Sequence, residues 1–276
     1  WKSGDGVVIP DSRQPLVGST GYVYTPHHGT ISADVSTSSI TLASALTHDY
    51  HGAMDQNGTA LANYYPHVAN LTRNVRLESE TDNGDGVGGG SGGIGTAPTS
   101  TQAHCVVMHH GSAHVFYTEF RGMGRTRFTN GTAPDNTTYD GSNNVTATGA
   151  NQIGKYSLHF HHCYGLFGGD ASGYQNRVVG CSMNRRFGGT TPKAERWHLA
   201  VHDTAFSLFQ DNVLYNASGA LIALEQGHET DNWFTGNFLC HVGGNGQQDG
   251  TGNSGDCVWT VAPQNDWDNN VMTNAA

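Results

Sequence analysis

The stretch from Asn151 to His161 reads NQIGKYSLHFH and sets two histidines two residues apart, between apolar residues typical of strands. On an extended strand the side chains alternate between the two faces with a period of two. Leu158 and Phe160 therefore share one face, while His159 and His161 share the other. If the apolar pair faces a core, both imidazoles stand on the outside. Paired imidazoles suit metal binding or acid–base chemistry, and an incidental polar face is the alternative.

Segments of the same kind recur along the chain and predict an all-β protein. They are short, and Asn, Gly or Asp follows most of them: HCVVMHH, AHVFYTEF, NRVVGCSMN, HLAVHDT, FSLFQDNVLYN, ALIALEQ, NWFTGNFL and CVWTV. The 38 glycines and many asparagines supply the positive φ angles of tight turns. The irregular repeat predicts a solenoid with two or three strands in each coil. A β-sandwich competes, but the continuous apolar runs ALIAL and CVV favour parallel strands.

Two polar stretches interrupt this pattern and divide the chain. Residues 82–101 are rich in glycine and residues 129–149 in Asn, Gly and Thr. Because neither stretch can bury enough apolar surface to offset its ordering entropy, we expect loop inserts outside the core. We expect residues 1–69 to form an amino-terminal β segment, with a strand over residues 39–46. Residues 70–276 are expected to form the solenoid, starting with a strand over 70–80 in which Leu71, Val75 and Leu77 point inward.

Composition excludes several classes of function. The net charge is −10 with only 13 Lys and Arg, so the basic surface needed for nucleic-acid binding is missing. No apolar run has the length of a transmembrane helix, and we expect no membrane insertion. The five cysteines form no CxxC pair, which argues against a finger-type zinc site. Two disulfides (Cys163–Cys181 and Cys240–Cys257 are nearest in sequence) and buried free thiols are both compatible with the sequence. Six Asn-x-Ser/Thr sequons favour secretion as a glycoprotein.

The alternation rule, applied to successive coils, predicts a cluster on one outer face. In HLAVHDT, Leu199 and Val201 point inward, so His198 and His202 point outward. In LIALEQ, Glu225 points outward by the same rule. Equivalent positions of neighbouring coils stack about 4.8 Å apart in a parallel solenoid. The outward side chains of these coils should therefore converge with the two histidines of SLHFH.

The convergence predicts a metal site formed by His159, His161 and His202, with Glu225 nearby. Three imidazoles suit Zn²⁺ or another transition metal and leave an open position for water. A calcium site would need oxygen ligands, and three acidic residues could offer them: Asp203, Glu229 and Asp231. A solvated ladder of polar side chains is the alternative to either site. A second group of histidines could join the same face: His104, His109, His110 and His114.

Eight stretches, taken in order, carry a resemblance to a known family. They are WKSGDGVVIP, NLTRNVRLESE, TEFRGMGR, NQIGKYSLHFHHCYG, NRRF, VHDTAFSLFQDNVLYNASG, ALEQGHETDNWFTGNFL and VWTVAPQND. In them the chain resembles the secreted and cell-surface β-helix family of the cell-migration-inducing hyaluronidase, the transmembrane hyaluronidase and fibrocystin-L. The resemblance implies a right-handed parallel β-helix and, before residue 70, a remnant of the family's glycine-rich β domain. It also implies an extracellular location and hyaluronan binding or depolymerisation.

Two departures from the family pattern bear on activity. Relatives place Gly-His where this chain has Gly219-Ala220, and Glu-Asp-Gly where it has Glu225-Gln226-Gly227. If the missing histidine and aspartate serve catalysis in relatives, that catalysis is altered or lost here. These departures favour a module without turnover.

The sequence leaves two hypotheses for function. The first is an extracellular polysaccharide-active enzyme, with Glu225 and Asp203 in acid–base roles and a metal-activated water. Arg185 and Arg186 would clamp a sugar carboxylate, or else form surface salt bridges. Aromatic side chains could stack on sugars or pack in the core: Tyr164, Tyr174, Trp197 and Trp233. The second hypothesis is a non-catalytic structural or glycan-binding module, which could associate with its own copies or stack into fibres through exposed strand edges.

Overall fold

The computed structural model describes residues 1–13, 25–36, 38–52, 54–55, 57–62, 65–79, 103–124, 126, 138–142, 144–147, 154–165, 173–184, 196–243, 252 and 254–275. Every regular element in these ranges is a β-strand. None of the described residues forms a helix with the length and hydropathy needed to cross a membrane. The chain divides into two compact units, Trp1–Thr72 and Arg73–Ala276.

The amino-terminal unit contains one three-stranded antiparallel sheet. Its strands are β1 (Gly6–Ile9), β2 (His27–Thr30) and β3 (Ala69–Asn70), in the order β2-β1-β3. Val8 and Leu71 are fully buried beside them. The strand predicted over residues 39–46 is wrong, since only Leu42 makes a bridge, to Ile31. Most side chains of that stretch are exposed, so its apolar alternation has no surface to pack against.

The carboxy-terminal unit contains the remaining strands. They are β4 (Val75–Glu78), β5 (Cys105–Met108), β6 (His114–Phe116), β7 (Thr118–Arg121), β8 (Thr138–Tyr139), β9 (Val145–Ala147), β10 (Leu158–His161), β11 (Asn176–Val179), β12 (Ser182–Asn184), β13 (Trp197–His202), β14 (Ser207–Gln210), β15 (Val213–Ala217), β16 (Ala220–Leu224), β17 (Trp233–Thr235), β18 (Phe238–Val242), β19 (Asp256–Thr260), β20 (Asp266–Asp268) and β21 (Val271–Thr273).

Apart from β8 and β9, these strands form three parallel sheets. The first has the order β19-β16-β13-β10-β5, the second β20-β17-β14-β11-β6, and the third β21-β18-β15-β12-β7-β4. Successive strands enter the first, second and third sheet in turn, and β13 then returns to the first sheet beside β10. The prediction of an all-β protein with parallel strands is confirmed.

Apolar side chains stack in register to form the core between the sheets. Leu158 on β10 pairs with Leu199 on β13, which pairs with Ile222 on β16, and all three are buried. In the second sheet the rings of Phe209 and Phe234 stack with centroids 4.7 Å apart. Burial of each such side chain contributes roughly 1.5–3 kcal/mol, so the continuous ladder stabilises the pairing of the strands that it joins.

Asparagines close the turns between the second and third sheets. The Asn237 side-chain oxygen accepts the backbone N–H of Asn212, and the Asn270 oxygen accepts that of Asn237. The residues before these asparagines have positive φ, 53° at Asp211 and 65° at Gly236. Asn, Asp and Gly tolerate this conformation, which explains why these residues follow the strand-like segments of the sequence.

Other expectations meet mixed outcomes. Val75 pairs with Thr118, and Leu77 with Phe120, but their exposed fractions are 55% and 40% because β4 is the last strand of its sheet. The predicted insert at 82–101 lies outside the described residues. Of the insert at 129–149, the described part forms the antiparallel pair β8–β9.

The five cysteines are all free thiols in this structure, and all except Cys105 are buried. Burial raises the pKa of the Cys257 thiol to about 11. Of the two readings that the sequence allowed, buried free thiols is the one observed.

Candidate metal centre

The outer face of the first sheet brings three histidines together. His161 on β10 is the register partner of His202 on β13, and His159 lies two residues before His161 on the same face. One nitrogen from each of these rings lies within 4.8 Å of the other two. Their ring centroids are 4.7 Å apart for His161 and His202, and 5.1 Å apart for His159 and His161. This cluster could hold a metal ion.

The hydrogen bond at His159 determines which of its nitrogens is free. Its Nδ1 lies 2.8 Å from the carbonyl oxygen of Gly154. Because a carbonyl only accepts, Nδ1 carries the proton, and Nε2 presents a lone pair. Nε2 is buried and has no hydrogen-bond partner among the described residues. Burial lowers the pKa of His159 to about 4, so the ring is neutral at pH 7 and ready to ligate.

His161 offers a second unprotonated ring. Its Nδ1 is buried without a hydrogen-bond partner in the described part of the chain. Burial and the neighbouring rings of His162 and His202 lower its pKa to about 4. Two imidazoles that are neutral at pH 7 therefore lie side by side in the cluster.

The spacing of the cluster fits a transition metal after a small closure. Nitrogens bound tetrahedrally to zinc at about 2.0–2.1 Å stand roughly 3.3 Å apart. The nitrogens of His159, His161 and His202 lie within 4.8 Å of one another, so modest side-chain rotation would bring them into range. Backbone and carboxylate partners on the outer nitrogens commonly fix ligand histidines in this way.

Glu225 stands beside the cluster, as the alternation rule predicts. Val201 pairs with Leu224, so the next residues, His202 and Glu225, are neighbours. The His202 Nδ1 and Glu225 Oε2 atoms are 3.9 Å apart, and the Glu225 side chain is 33% exposed. This carboxylate can orient His202 and also reach solvent or a bound ligand.

Asp203 is placed at the corner that follows β13, with φ 48°. Its Oδ2 accepts a hydrogen bond of 3.1 Å from the Tyr164 hydroxyl and lies 3.7 Å from the His162 Nδ1. Its Oδ1 lies 3.3 Å from the His228 Nδ1. Asp203 is therefore the centre of a second polar group that adjoins the three histidines.

The two other acidic residues considered for calcium are not part of an oxygen-rich site. Glu229 is 1% exposed, and backbone N–H groups of Asp203, Gln226 and Gly227 occupy both of its oxygens. The exposed Asp231 accepts a hydrogen bond from the Thr230 hydroxyl. The donor set therefore favours imidazole over oxygen coordination.

His198 does not share the outer face with His202, so that expectation is wrong. Its ring is 1% exposed, and its Nε2 lies 2.9 Å from the carbonyl oxygen of Tyr215. The strand departs from strict alternation here: Trp197 and Ala200 belong to one outer apolar cluster, whereas Leu199 belongs to the core. The irregularity lies between Trp197 and Ala200 and turns His198 inward.

The remaining predicted residues are distributed over several places. Arg185 and Arg186 lie outside the described residues. Tyr164 is 54% exposed beside Asp203, Trp233 is partly exposed on β17, and Trp197 is buried. Of the second histidine group, His109 lies beside His162, and their ring centroids are 6.1 Å apart.

Sequence reasoning missed several contributors to the site. His162 stacks edge-on against His161 with centroids 4.0 Å apart, and Tyr156 packs edge-on against His159. The Tyr156 ring stacks on Trp197, which also stacks on Trp259 and contacts the Arg196 guanidinium. The run of four aromatic or imidazole residues from His159 to His162 signalled His162, but the positive φ of His162 (59°) breaks the alternation that the prediction assumed.

Comparison of the chain with protein-family models, with curated proteins and with solved structures finds no match.

Proposed function

We propose that the carboxy-terminal unit is a right-handed parallel β-helix in which the three parallel sheets are the faces of one solenoid. From β10 onward the chain returns to the same sheet every three strands, as with β10 and β13, and this order supports the proposal. The asparagine ladder through Asn212, Asn237 and Asn270 supports it too. Parallel crossovers are right-handed in nearly all proteins, which is the reason for the proposed hand.

We also propose that this β-helix is an extracellular polysaccharide-binding protein with a zinc-dependent depolymerase activity. The observation that carries the metal site is the buried, unpartnered Nε2 of His159, in a residue that has one ring nitrogen within 4.8 Å of nitrogens of His161 and His202. A buried nitrogen lone pair without a donor is costly, and a bound cation would satisfy it. Zn²⁺ held by three histidines lowers the pKa of its fourth ligand, water, to about 7.

Two carboxylates are placed to move protons in such a reaction. Glu225 lies beside His202 and is partly exposed, so it can take up the proton of an attacking water. Asp203 lies one residue after His202 and is held by Tyr164, where it can assist the leaving group. Glycoside hydrolysis generally uses two such groups.

Polysaccharide is the proposed substrate class. The resemblance to the hyaluronidase-like β-helix family supports it, as does the exposed ring of Tyr164 beside Asp203. Aromatic rings stack well on the apolar faces of sugars. The net charge of −10 favours a neutral or weakly charged polymer over a strongly anionic one such as hyaluronan.

The test measures metal content and reducing ends together. Purified protein should carry about one zinc per chain, and a polysaccharide panel should include one substrate from which it releases reducing ends. A chelator should abolish the release, and added Zn²⁺ should restore it. His161→Ala should lose both metal and release, while His51→Ala, at an exposed position in the other unit, should lose neither. Metal-free protein or chelator-resistant release contradicts the proposal.

A non-catalytic structural or glycan-binding module is the second candidate. Ala220 favours it: it stands where the family that the chain resembles has histidine, and it is buried here in the apolar cluster with Tyr156 and Trp197. Metal binding without release from any polysaccharide would support this candidate. Fibres of the purified protein in electron micrographs would support a role in stacking.

A further inference from the structure

We propose that Glu229 is a positioning residue of the histidine centre. Its buried carboxylate would tie the backbone that follows His202 to the backbone that follows Glu225, and so set the spacing of these two side chains. The inference rests on the proposed metal site and adds a residue that contacts neither metal nor substrate.

The contacts of Glu229 are complete and come from two separate strand ends. Its Oε1 accepts the N–H groups of Asp203 and Gln226, both at 2.9 Å. Its Oε2 accepts the N–H of Gly227 at 2.8 Å. The residue is 1% exposed. A buried carboxylate needs such donors because desolvation of its charge is otherwise very costly.

The N–H of Asp203 has a different kind of acceptor from the N–H groups at the equivalent positions of the preceding strands. At the equivalent corners, the N–H of His109 donates to the carbonyl of His161, and that of His162 donates to the carbonyl of His202. The N–H of Asp203 instead donates to the Glu229 side chain. At this corner the Glu229 carboxylate therefore replaces the backbone carbonyl of the neighbouring strand as the acceptor of the hydrogen bond.

The hydrogen bonds of Glu229 matter for the site because the two residues whose N–H groups share its Oε1, Asp203 and Gln226, directly follow two residues of the site. His202 comes directly before Asp203, and Glu225 comes directly before Gln226. The His202 Nδ1 and Glu225 Oε2 atoms lie 3.9 Å apart across that junction. Without the clamp the two corners would be free to separate, and the ring of His202 would lose its fixed orientation toward His159 and His161.

Glu229→Ala and Glu229→Gln distinguish the effect of losing all three hydrogen bonds from the effect of losing one. Alanine removes all three bonds. Glutamine keeps one oxygen for Asp203 and Gln226 and gives up the bond from Gly227. We expect Glu229→Ala to weaken Zn²⁺ binding by about 10–100-fold, the usual effect of losing an outer partner of a metal ligand, and to change the visible spectrum of the Co²⁺-loaded protein. Glu229→Gln places an amide nitrogen against the Gly227 N–H, which it cannot accept, but keeps the bonds to Asp203 and Gln226, so it should change both measurements less than Glu229→Ala does.

Glu119 provides a matched control. It is equally buried, at 1% exposed, but lies on β7 and pairs with Arg76. Glu119→Ala should lower the unfolding temperature without changing Zn²⁺ affinity or the Co²⁺ spectrum. If Glu229→Ala and Glu229→Gln both fold and bind Zn²⁺ like the wild type, Glu229 is only structural and the inference is overturned.

Amide hydrogen exchange in the metal-free protein keeps the inference separate from the proposed function. Absence of zinc binding by the wild type would defeat the proposed function alone. In that case Glu229→Ala should still speed exchange at Asp203 and Gln226 and shift the ring resonances of His202. Unchanged exchange at the two amides, or unchanged resonances of His202, overturns the inference.

Discussion

His161 and His202 are direct register partners on adjacent parallel strands, and their rings meet at 89° with centroids 4.7 Å apart. Register partners of a parallel sheet are separated by the strand spacing of about 4.8 Å. The sheet therefore holds the backbones of these two histidines at that distance, and their side-chain rotamers set the angle between the rings.

Removal of either ring should therefore abolish tight metal binding without unfolding the protein. His202→Ala removes a partly exposed ring, whose loss leaves the backbone ladder of β13 intact. We expect Zn²⁺ affinity to fall at least about 100-fold, with an unfolding temperature within a few degrees of the metal-free wild type. Isothermal titration and thermal unfolding measure the two quantities. Retained affinity in His202→Ala would show that this ring is not a ligand.

The metal-free protein should lose stability as the pH falls from about 6.5 to about 4. The pKa of His159 is lowered from 6.5 to about 4 by burial, so in this window the unfolded chain binds a proton that the folded chain does not. The free energy of unfolding is therefore unaffected by protonation of this ring above pH 6.5, and it falls by up to about 3 kcal/mol as the pH drops through that window. Urea unfolding at several pH values measures the slope, which His159→Gln should flatten. A slope unchanged in His159→Gln would contradict the assignment.

Gly154 should be sensitive to substitution although its surroundings have room. Its φ is 81°, a conformation that side chains disfavour, and the nearest contact of an added Cβ is the His159 ring at 3.7 Å. We expect Gly154→Ala to cost about 1–2 kcal/mol in unfolding free energy and to weaken Zn²⁺ binding, because its carbonyl holds the His159 ring. The matched control is Gly58→Ala, whose φ of 77° carries the same strain far from the site in sequence. Equal Zn²⁺ affinity in the two variants would show that Gly154 does not contribute to metal binding.

The asparagine ladder should be costly to interrupt in its middle. Asn237→Ala removes the acceptor of the Asn212 N–H and the donor to the carbonyl of Phe209. These buried groups would then lack partners, at a cost of about 3 kcal/mol in total. Asn270→Ala should cost less, about 1 kcal/mol, because Asn270 is only half-buried. Chemical denaturation measures the free energy of unfolding of both variants. Equal losses would contradict the expectation that the more buried asparagine contributes more.

The sequence by itself determined the all-β fold class and the positions of several residues of the candidate site. Period-two alternation in SLHFH places Phe160 inward and His159 and His161 outward, because a strand has only two faces. The same rule placed Glu225 correctly beside His202. Asn, Asp and Gly after most of the strands marked the turns, since these residues accept positive φ.

Alternation by itself failed wherever the backbone left the regular strand. His198 turned inward because β13 is irregular between Trp197 and Ala200, and the stretch at 39–46 found no partner strand despite its pattern. Neither outcome is encoded in the local period, because each depends on which distant segment packs alongside.

Only the tertiary structure decided the details that make the cluster a candidate metal centre. The register between β10 and β13 selected His202 as the partner of His161. The carbonyl of Gly154 selected the free nitrogen of His159, and burial kept that ring neutral. Glu229, four residues beyond Glu225, clamps the two corners behind the site. Register, burial and hydrogen-bond partners arise between residues far apart in the chain, and for that reason no local pattern could reveal them.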